Sequence, residues 1–309
     1  MKTTSNGIGM HPKGRQGIFI GIFILLAVTI SSCHRKDGVD RPPVFVVKLN
    51  NYTSLGSYLT DNSGRTLYYF ANDSASVNSC SGGCAKVWPI FHTDSLTSQF
   101  IGDGLSLSDF GEITISGGIK QNTYKGRPLY YYAPSNGGTN KLEAPGHTSG
   151  EGVGGVWFVA KPDYTIMLTR AQLVGNNSKN YIFDTAGTPS PTYSEGNGKS
   201  IYFTDAKGVT LYIFKPDKFN TNTFTKPDFS NDPVWPLYQM DKIVVPSVLD
   251  KSLFGVITVF GKKQMTYKGW PLYYFGQDAM TMGATKGVSF PAAGVWPVAT
   301  RGLMTAPNP

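Results

Sequence analysis

The amino-acid sequence predicts an all-β protein made of two tandem, pseudo-symmetric units of antiparallel β-meander or barrel-like form, after a cleaved signal peptide. The chain of 309 residues contains 36 Gly and 20 Pro but only 16% charged residues, a composition typical of turn-rich β proteins. After the N-terminal leader, we find no long apolar stripe with the helical period of about 3.6 residues. In addition, residues 121–131 return almost unchanged at residues 264–274.

Residues 1–32 are predicted to be a lipoprotein signal peptide. Lys13 and Arg15 form a positively charged region, and the apolar run that follows at residues 18–30 is short for a membrane span. The run ends in Ile30-Ser31-Ser32-Cys33. This ending resembles the bacterial lipobox, in which the cysteine becomes the lipidated first residue of the mature protein. The alternative is an ordinary signal peptide or an anchor helix with a chance cysteine.

Residues 33–43 are predicted to be a tether between the lipid and the folded part, because they are charged and end in two prolines. By the lipoprotein resemblance, about two or three acyl chains on Cys33 would hold the protein on a membrane surface without spanning the membrane. The next residue, His34, is not the aspartate that retains lipoproteins inside. The resemblance therefore implies the outer membrane in a cell that has two membranes.

Two repeated halves are predicted at residues 44–161 and 162–300, followed by a C-terminal tail at residues 301–309. Besides the repeat at residues 121–131, three further pairs of segments recur in the same order in both halves. Such ordered self-similarity indicates a tandem duplication. The pairs are residues 110–115 with 254–259, 87–89 with 234–236, and 155–159 with 294–298.

The strands of the first half are predicted from runs of β-branched and aromatic residues bounded by turn signals, and the second half mirrors them. Lys125 and Gly126 are expected to form a two-residue hairpin turn, since glycine readily takes a positive φ. The extra residues 175–199 of the second half, rich in Asn, Ser, Gly and Pro, are expected to form a surface loop. The predicted strands are residues 44–48, 56–61, 66–71, 111–116, 119–124, 127–133 and 155–160.

A motif of the form Tyr, any residue, aromatic, two residues, Asp ends each of four aromatic strands, with Ser in place of Asp in one copy. Its copies are Tyr68, Phe70 and Asp73; Tyr130, Tyr132 and Ser135; Tyr212, Phe214 and Asp217; and Tyr273, Phe275 and Asp278. The motif resembles that of the bacterial secreted-repeat lipoproteins defined by a Y-x4-D pattern. The resemblance covers nearly the whole mature chain and implies a location and an architecture, but no established activity.

The physical role of this motif has three interpretations. An Asp just past a strand can accept backbone N–H groups or a tyrosine hydroxyl, which predicts a structural corner. A cation site is a second interpretation, although calcium prefers about six to eight oxygen ligands and each repeat offers one acid. The third interpretation is a platform of exposed tyrosine faces for binding glycan rings.

Cys80 and Cys84 are expected to form a disulfide, since export places them in an oxidising environment. The aligned positions of the second half are Pro227 and Asn231, so both cysteines are missing there together. The alternative is a metal or redox site that uses the two thiols with His92, the nearest histidine in sequence.

Composition and motifs point away from several functional classes. The net charge of +8 is spread along the chain without a Lys/Arg cluster, so we expect no nucleic-acid partner. The G-x-G-x-x-G pattern at residues 150–155 leads into a predicted strand and not a helix, which argues against a dinucleotide site. The sequence contains no H-E-x-x-H or G-x-S-x-G motif. We therefore expect no cofactor, no metal and no enzymatic activity.

The sequence favours a lipid-anchored protein of the bacterial cell envelope that acts as a binding or structural module. The expected partners are the membrane, through the anchor, and an envelope glycan or envelope protein. The first alternative is a redox or metal-handling accessory that uses Cys80, Cys84 and His92. The second is an envelope glycan hydrolase, which would need two carboxylates facing one cleft.

Overall fold

Short antiparallel strands make up the fold, which the computed structural model describes for residues 46–74, 77–94, 96–184 and 192–309. The signal peptide, Cys33 and the tether lie outside these residues. The described strands form six sheets of two to four strands, and α1 (Gly83–Val87) is the short helical turn that precedes Trp88. No helix in this part of the chain is long and apolar enough to cross a membrane. The strands are β1 Val47–Tyr52, β2 Gly56–Asp61, β3 Tyr68–Phe70, β4 Phe110–Ile115, β5 Ile119–Tyr124, β6 Arg127–Pro128, β7 Ser135–Asn136, β8 Thr139–Asn140, β9 Trp157–Val159, β10 Met167–Val174, β11 Asn180–Asp184, β12 Thr192–Glu195, β13 Lys199–Thr204, β14 Phe254–Val259, β15 Lys262–Tyr267 and β16 Trp270–Pro271.

The all-β prediction is confirmed, but the barrel-like form is wrong, because the described sheets do not close into a barrel. The predicted strand at residues 127–133 explains the difference. Its first two residues pair with β5 as β6, and then Tyr130 forms single bridges to Tyr68 and Ile90. A segment that changes its neighbour within three residues cannot extend one ladder around a barrel.

The duplication appears as two three-stranded sheets with matching register. Phe110 lies opposite Tyr124 in the order β4-β5-β6, and Phe254 lies opposite Tyr267 in the order β14-β15-β16. The turn between β5 and β6 has φ of 48° at Lys125 and 79° at Gly126. Its counterpart in the second half has φ of 49° and 80°. The predicted two-residue turn is confirmed in both halves, and the two positive φ angles match the twist of a tight hairpin.

Two strand predictions need correction. The first strand was expected at residues 44–48, but β1 spans Val47–Tyr52 because it pairs along its whole length with β2 through a tight turn. The expected loop at residues 175–199 instead contributes β11 and β12, which extend the sheet beside β10. Tyr181 on β11 is buried in the core of the second half, and this apolar anchor lets a polar segment form strands.

Both halves share one hydrophobic core, and the described residues from 46 onward belong to one compact unit. The shared core includes Tyr69 and Phe158 from the first half and Phe203, Leu211 and Tyr267 from the second. Each half also has an aromatic cluster of its own, built around Trp88 and Trp157 in the first and around Trp235 and Trp296 in the second. The halves therefore pack against each other through the shared hydrophobic core and are not two separately packed units.

The C-terminal tail takes the same place against the second half that the start of the second half takes against the first. Lys125 Nζ donates to the carbonyl of Pro162 at 2.5 Å, and Lys268 Nζ donates to the carbonyl of Leu303 at 2.7 Å. The tail buries Leu303 and accepts the indole N–H of Trp270 at the carbonyl of Met304, at 2.9 Å. The tail thus caps this edge of the second half.

This capping role predicts that Leu303→Ala destabilises the protein. The side chain is 2% exposed and belongs to the shared core, so its truncation should lower the free energy of unfolding by about 2–5 kcal/mol. Urea unfolding followed by tryptophan fluorescence measures the loss. Met304→Ala is the matched control, because that side chain is 57% exposed and its role against Trp270 is played by the backbone. Equal, small effects of both substitutions would contradict the capping role.

Candidate functional site

The four motif tyrosines meet in pairs at the centre of each half. Tyr68 and Tyr130 exchange two backbone hydrogen bonds, of 2.8 and 3.0 Å. Tyr212 and Tyr273 do the same, with both bonds at 2.9 Å. All four side chains are fully buried. The glycan platform on these tyrosines is therefore wrong, since no ring face is open to a sugar.

Three of the four tyrosine hydroxyls bind an acid that belongs to the other motif copy in the same half. Tyr130 donates to Asp73 Oδ2 at 2.6 Å, although the two residues lie 57 positions apart. In the second half the exchange is reciprocal. Tyr273 donates to Asp217 at 2.7 Å, and Tyr212 donates to Asp278 at 2.6 Å. The acids thus act as structural corners, but each corner joins two motif copies and does not close one copy on itself.

The second oxygen of each acid holds the loop that follows its strand. Asp73 Oδ1 accepts the backbone N–H of Ser79 at 2.8 Å and its hydroxyl at 2.6 Å. Asp217 Oδ1 accepts the same two groups from Thr223, at 2.7 and 2.8 Å. Each carboxylate therefore ties a buried strand to a surface loop, which leaves these acids little capacity to bind a cation.

Burial sets the protonation of these corners. It raises the pKa of Asp217 to about 6, against the lowering effect of the hydrogen bonds from Thr223 and Tyr273. Burial also raises the pKa of Asp73 and of Asp278. It moves the pKa of Tyr273 far above the ordinary value, so that the hydroxyl stays a donor. The corners are consequently neutral donors facing desolvated acceptors.

The fourth corner does not use the residue that the motif predicts. Ser135 is exposed on β7, and Tyr68 donates its hydroxyl to Glu143 instead. The other oxygen of Glu143 accepts the backbone N–H of Ser149 at 2.9 Å, as the corner aspartates accept from their loops. The inclusion of Ser135 in the site is therefore a wrong prediction. Sequence analysis missed Glu143, although it is the first acidic residue after Tyr132.

The aromatic residues at the third motif position build a column of stacked rings in each half. In the first half Trp157 lies between Phe70 at 3.9 Å and Trp88 at 3.8 Å, with interplanar angles of 5° and 2°. Tyr132 packs on the far side of Trp88 at 4.5 Å. The second half repeats the column with Phe214, Trp296, Trp235 and Phe275. The motif aromatics thus serve packing.

In each half a glycine lets the backbone pack closely against the aromatic rings. A Cβ at Gly150 would lie 2.9 Å from both Trp88 and Tyr68, and a Cβ at Gly287 would lie 2.7 Å from Tyr212. The first glycine of the G-x-G-x-x-G pattern therefore lets a loop approach two rings closely, a packing role that fits the rejection of a dinucleotide site.

The two cysteines of the first half form the expected disulfide, with their Cα atoms 5.3 Å apart. Both thiols are therefore occupied, and they are not available to ligate a metal together with His92. The His92 Nε2 atom instead lies 3.3 Å from Glu112 Oε2 and 3.4 Å from Asp94 Oδ1.

This open cluster borders a cleft of about 400 Å³ that Asp94, Glu112 and Lys120 help to line. A glycosidase needs one carboxyl group with a raised pKa to act as the acid. The hydrogen bond from Lys120 Nζ, 2.7 Å long, lowers the pKa of Glu112 instead. Asp94 is 87% exposed. Glu112 therefore lacks the raised pKa of a glycosidase acid.

Comparison with known proteins gives one family. A lipoprotein family described as a secreted repeat of unknown function matches residues 52–92 and 256–300. The first match contains Tyr68, Asp73 and Trp88, and the second contains Tyr273, Asp278 and Trp296. The predicted resemblance to secreted-repeat lipoproteins is confirmed. No curated protein and no solved structure matches the chain.

The fourth corner can be tested by substitution. Glu143→Ala leaves the buried Tyr68 hydroxyl and the Ser149 N–H without their acceptor, so the free energy of unfolding should fall by about 1–3 kcal/mol. Ser135→Ala is the control and should change it by less than about 0.5 kcal/mol, because that side chain is exposed. Urea denaturation measures both values. A larger loss of stability for Ser135→Ala than for Glu143→Ala would show that Ser135, and not Glu143, forms the corner.

Asp217 should make stability depend on pH. Its pKa is raised to about 6 in the folded state, so the unfolded chain ionises first and stability falls as pH rises from about 4 to about 6. At about 1.4 kcal/mol per pKa unit, the loss approaches roughly 3 kcal/mol.

Asp217→Asn removes this titration. The free energy of unfolding of the variant should therefore fall less than that of the natural protein between about pH 4 and pH 6. Urea unfolding at a series of pH values compares the two, and Asp241→Asn, at an exposed position, is the control. Parallel curves for the natural protein and Asp217→Asn would refute the assignment.

Proposed function

We propose that this chain, each half of which carries a match to the secreted repeat, is a lipid-anchored, non-enzymatic module of the bacterial cell envelope. It binds or supports a surface polymer or another envelope protein. One observation carries this proposal. The repeated tyrosines, acids and aromatics are used inside the fold, in corners and ring columns, so the repeat serves as a scaffold and not as a reaction centre.

The anchor part of the proposal comes from the sequence before the fold. The lipobox-like Ile30-Ser31-Ser32-Cys33 and the tether at residues 33–43 precede β1, which begins at Val47. A family of secreted repeats fits a position outside the cytoplasm. His34 after the cysteine favours the outer membrane in a cell with two membranes, by the lipoprotein resemblance.

The binding part of the proposal concerns a surface cleft of the first half. The cleft beside His92 presents both signs of charge at the surface, with Asp94, Glu112 and Lys120 around it. Mixed charge and hydrogen-bonding groups suit a polar polymer or a peptide surface. An envelope glycan remains a candidate partner, but its binding would not use the buried motif tyrosines.

A redox accessory is the second candidate, favoured by a disulfide that joins residues only four positions apart, with Cys84 partly exposed. In that function Cys80 and Cys84 would cycle between dithiol and disulfide with an envelope thiol protein. Thiol titration of the exported protein separates the candidates. Stably oxidised cysteines support the scaffold, whereas a reduced, metal-loading fraction supports the accessory.

The lipid-anchor part of the proposal can be tested at Cys33, the predicted site of acylation. Cys33→Ser should abolish labelling by a fatty-acid precursor and move the protein from the membrane fraction to the soluble fraction. The double substitution Cys80→Ser and Cys84→Ser is the control, because it removes the other two thiols of the chain and should leave labelling intact. Continued acylation of Cys33→Ser would exclude the lipobox.

Crosslinking of the lipidated protein in its own envelope tests the binding role. A specific envelope polymer or protein should be recovered with the natural protein, and Lys120→Glu should reduce its recovery by reversing one charge of the cleft. Turnover of purified envelope glycan by the protein would overturn the non-enzymatic assignment.

A further inference from the structure

Arg127 is buried at the junction between the two halves. It lies on β6 of the first half and is 1% exposed. Its Nη2 atom donates to Thr169 Oγ1 at 2.7 Å and to Thr204 Oγ1 at 3.2 Å, on β10 and β13 of the second half. Its guanidinium carbon lies 5.2 Å from the ring centre of Tyr69. A full positive charge is thus placed away from bulk solvent.

No described carboxylate forms an ion pair with Arg127, although Asp73 and Asp205 act on its charge from a longer distance. Ion pairs in the described part of the chain do not include Arg127. Its Nε and Nη1 atoms are buried and donate to no described group, and the Tyr69 hydroxyl likewise finds no described acceptor for its proton. A buried charge without a counter-charge costs several kcal/mol, so such groups are ordinarily paired.

A small cavity adjoins these unmatched donors. Both Arg127 and Tyr69 line it, and the volume open to the centre of a water-sized sphere is about 10 Å³, room for one such particle. Lys125 and Lys161 also line the cavity, and no carboxylate does. The cavity therefore has room for a single small species beside a buried guanidinium, and its wall is otherwise largely apolar.

We propose that this cavity binds one small monovalent anion, chloride. The unmatched groups are N–H and O–H donors, so the species that satisfies them must be an acceptor. A water molecule could accept these bonds, but it would leave the charge of Arg127 without a counter-charge in contact. Chloride supplies both the acceptor and the charge.

The second half provides an internal comparison. The residue that corresponds to Arg127 in the repeat is Trp270, which donates its indole N–H to the tail and carries no charge. The anion site therefore occurs once per chain, where the first half meets the second. A bound chloride would stabilise the contact between the two halves at Arg127. The hydrogen bond from Trp270 plays the corresponding role between the second half and the tail.

The test is the dependence of stability on the type of salt. The full lipidated protein in neutral detergent is unfolded with urea in sodium chloride or sodium gluconate at equal ionic strength. Chloride at about ten times its Kd should lower the unfolding equilibrium constant about tenfold. Arg127→Met should remove the difference between the salts, whereas Arg301→Met, at an exposed arginine, should retain it.

If Arg127→Met does not fold, bromide binding to the natural protein provides a second test. Crystals of the natural protein grown in sodium bromide should show an anomalous peak beside the Arg127 guanidinium. Equal stability in chloride and gluconate would overturn the proposal. The absence of a bromide peak at Arg127 would also overturn it and identify the cavity as a water site.

Discussion

Four buried tyrosine hydroxyls are each paired with a carboxylate acceptor, and these pairs organise the molecule. Tyr68, Tyr130, Tyr212 and Tyr273 bring their hydroxyls into the interior together with large aromatic rings. An unsatisfied hydroxyl there would cost about 1–3 kcal/mol, so each is matched by a carboxylate from a distant segment. Because that carboxylate also holds a loop, one interaction joins strand, ring column and surface in each corner.

The two halves are alike inside and different where they meet their neighbours. The ring columns and hairpin turns recur almost unchanged, since each half must fill its own core. Arg127 and Trp270 occupy the same repeat position but face different surroundings, the second half in one case and the tail in the other. Duplication thus supplied two copies of a core, and the junction residues adapted each copy to its place.

The same division bears on function. Residues used in corners and columns are committed to stability and are closed to a ligand. The disulfide and the cluster at His92 occur in the first half, outside the repeated motif. In the proposed envelope module, recognition therefore belongs to the surface around His92, outside the corners and ring columns that both halves share.

Local patterns in the sequence were sufficient for the all-β class, the duplication, the hairpin turn at Lys125 and the disulfide. The turn depends on a glycine that takes positive φ, and the disulfide on two cysteines in a chain with a predicted export signal. The duplication follows from comparing two stretches of the sequence directly. The role of the motif aspartates as hydrogen-bond acceptors could also be predicted, because a carboxylate after a strand must find donors.

The tertiary structure alone decided which partner each group meets. Tyr130 and Asp73 are 57 residues apart, and Tyr68 and Glu143 are 75 apart, so no local period records their contact. Exchange between motif copies, the replacement of Ser135 by Glu143 and the burial of Arg127 follow from distances that exist only in the folded chain. A sequence specifies the side chains that need partners, whereas the packing of the whole core selects among the partners available.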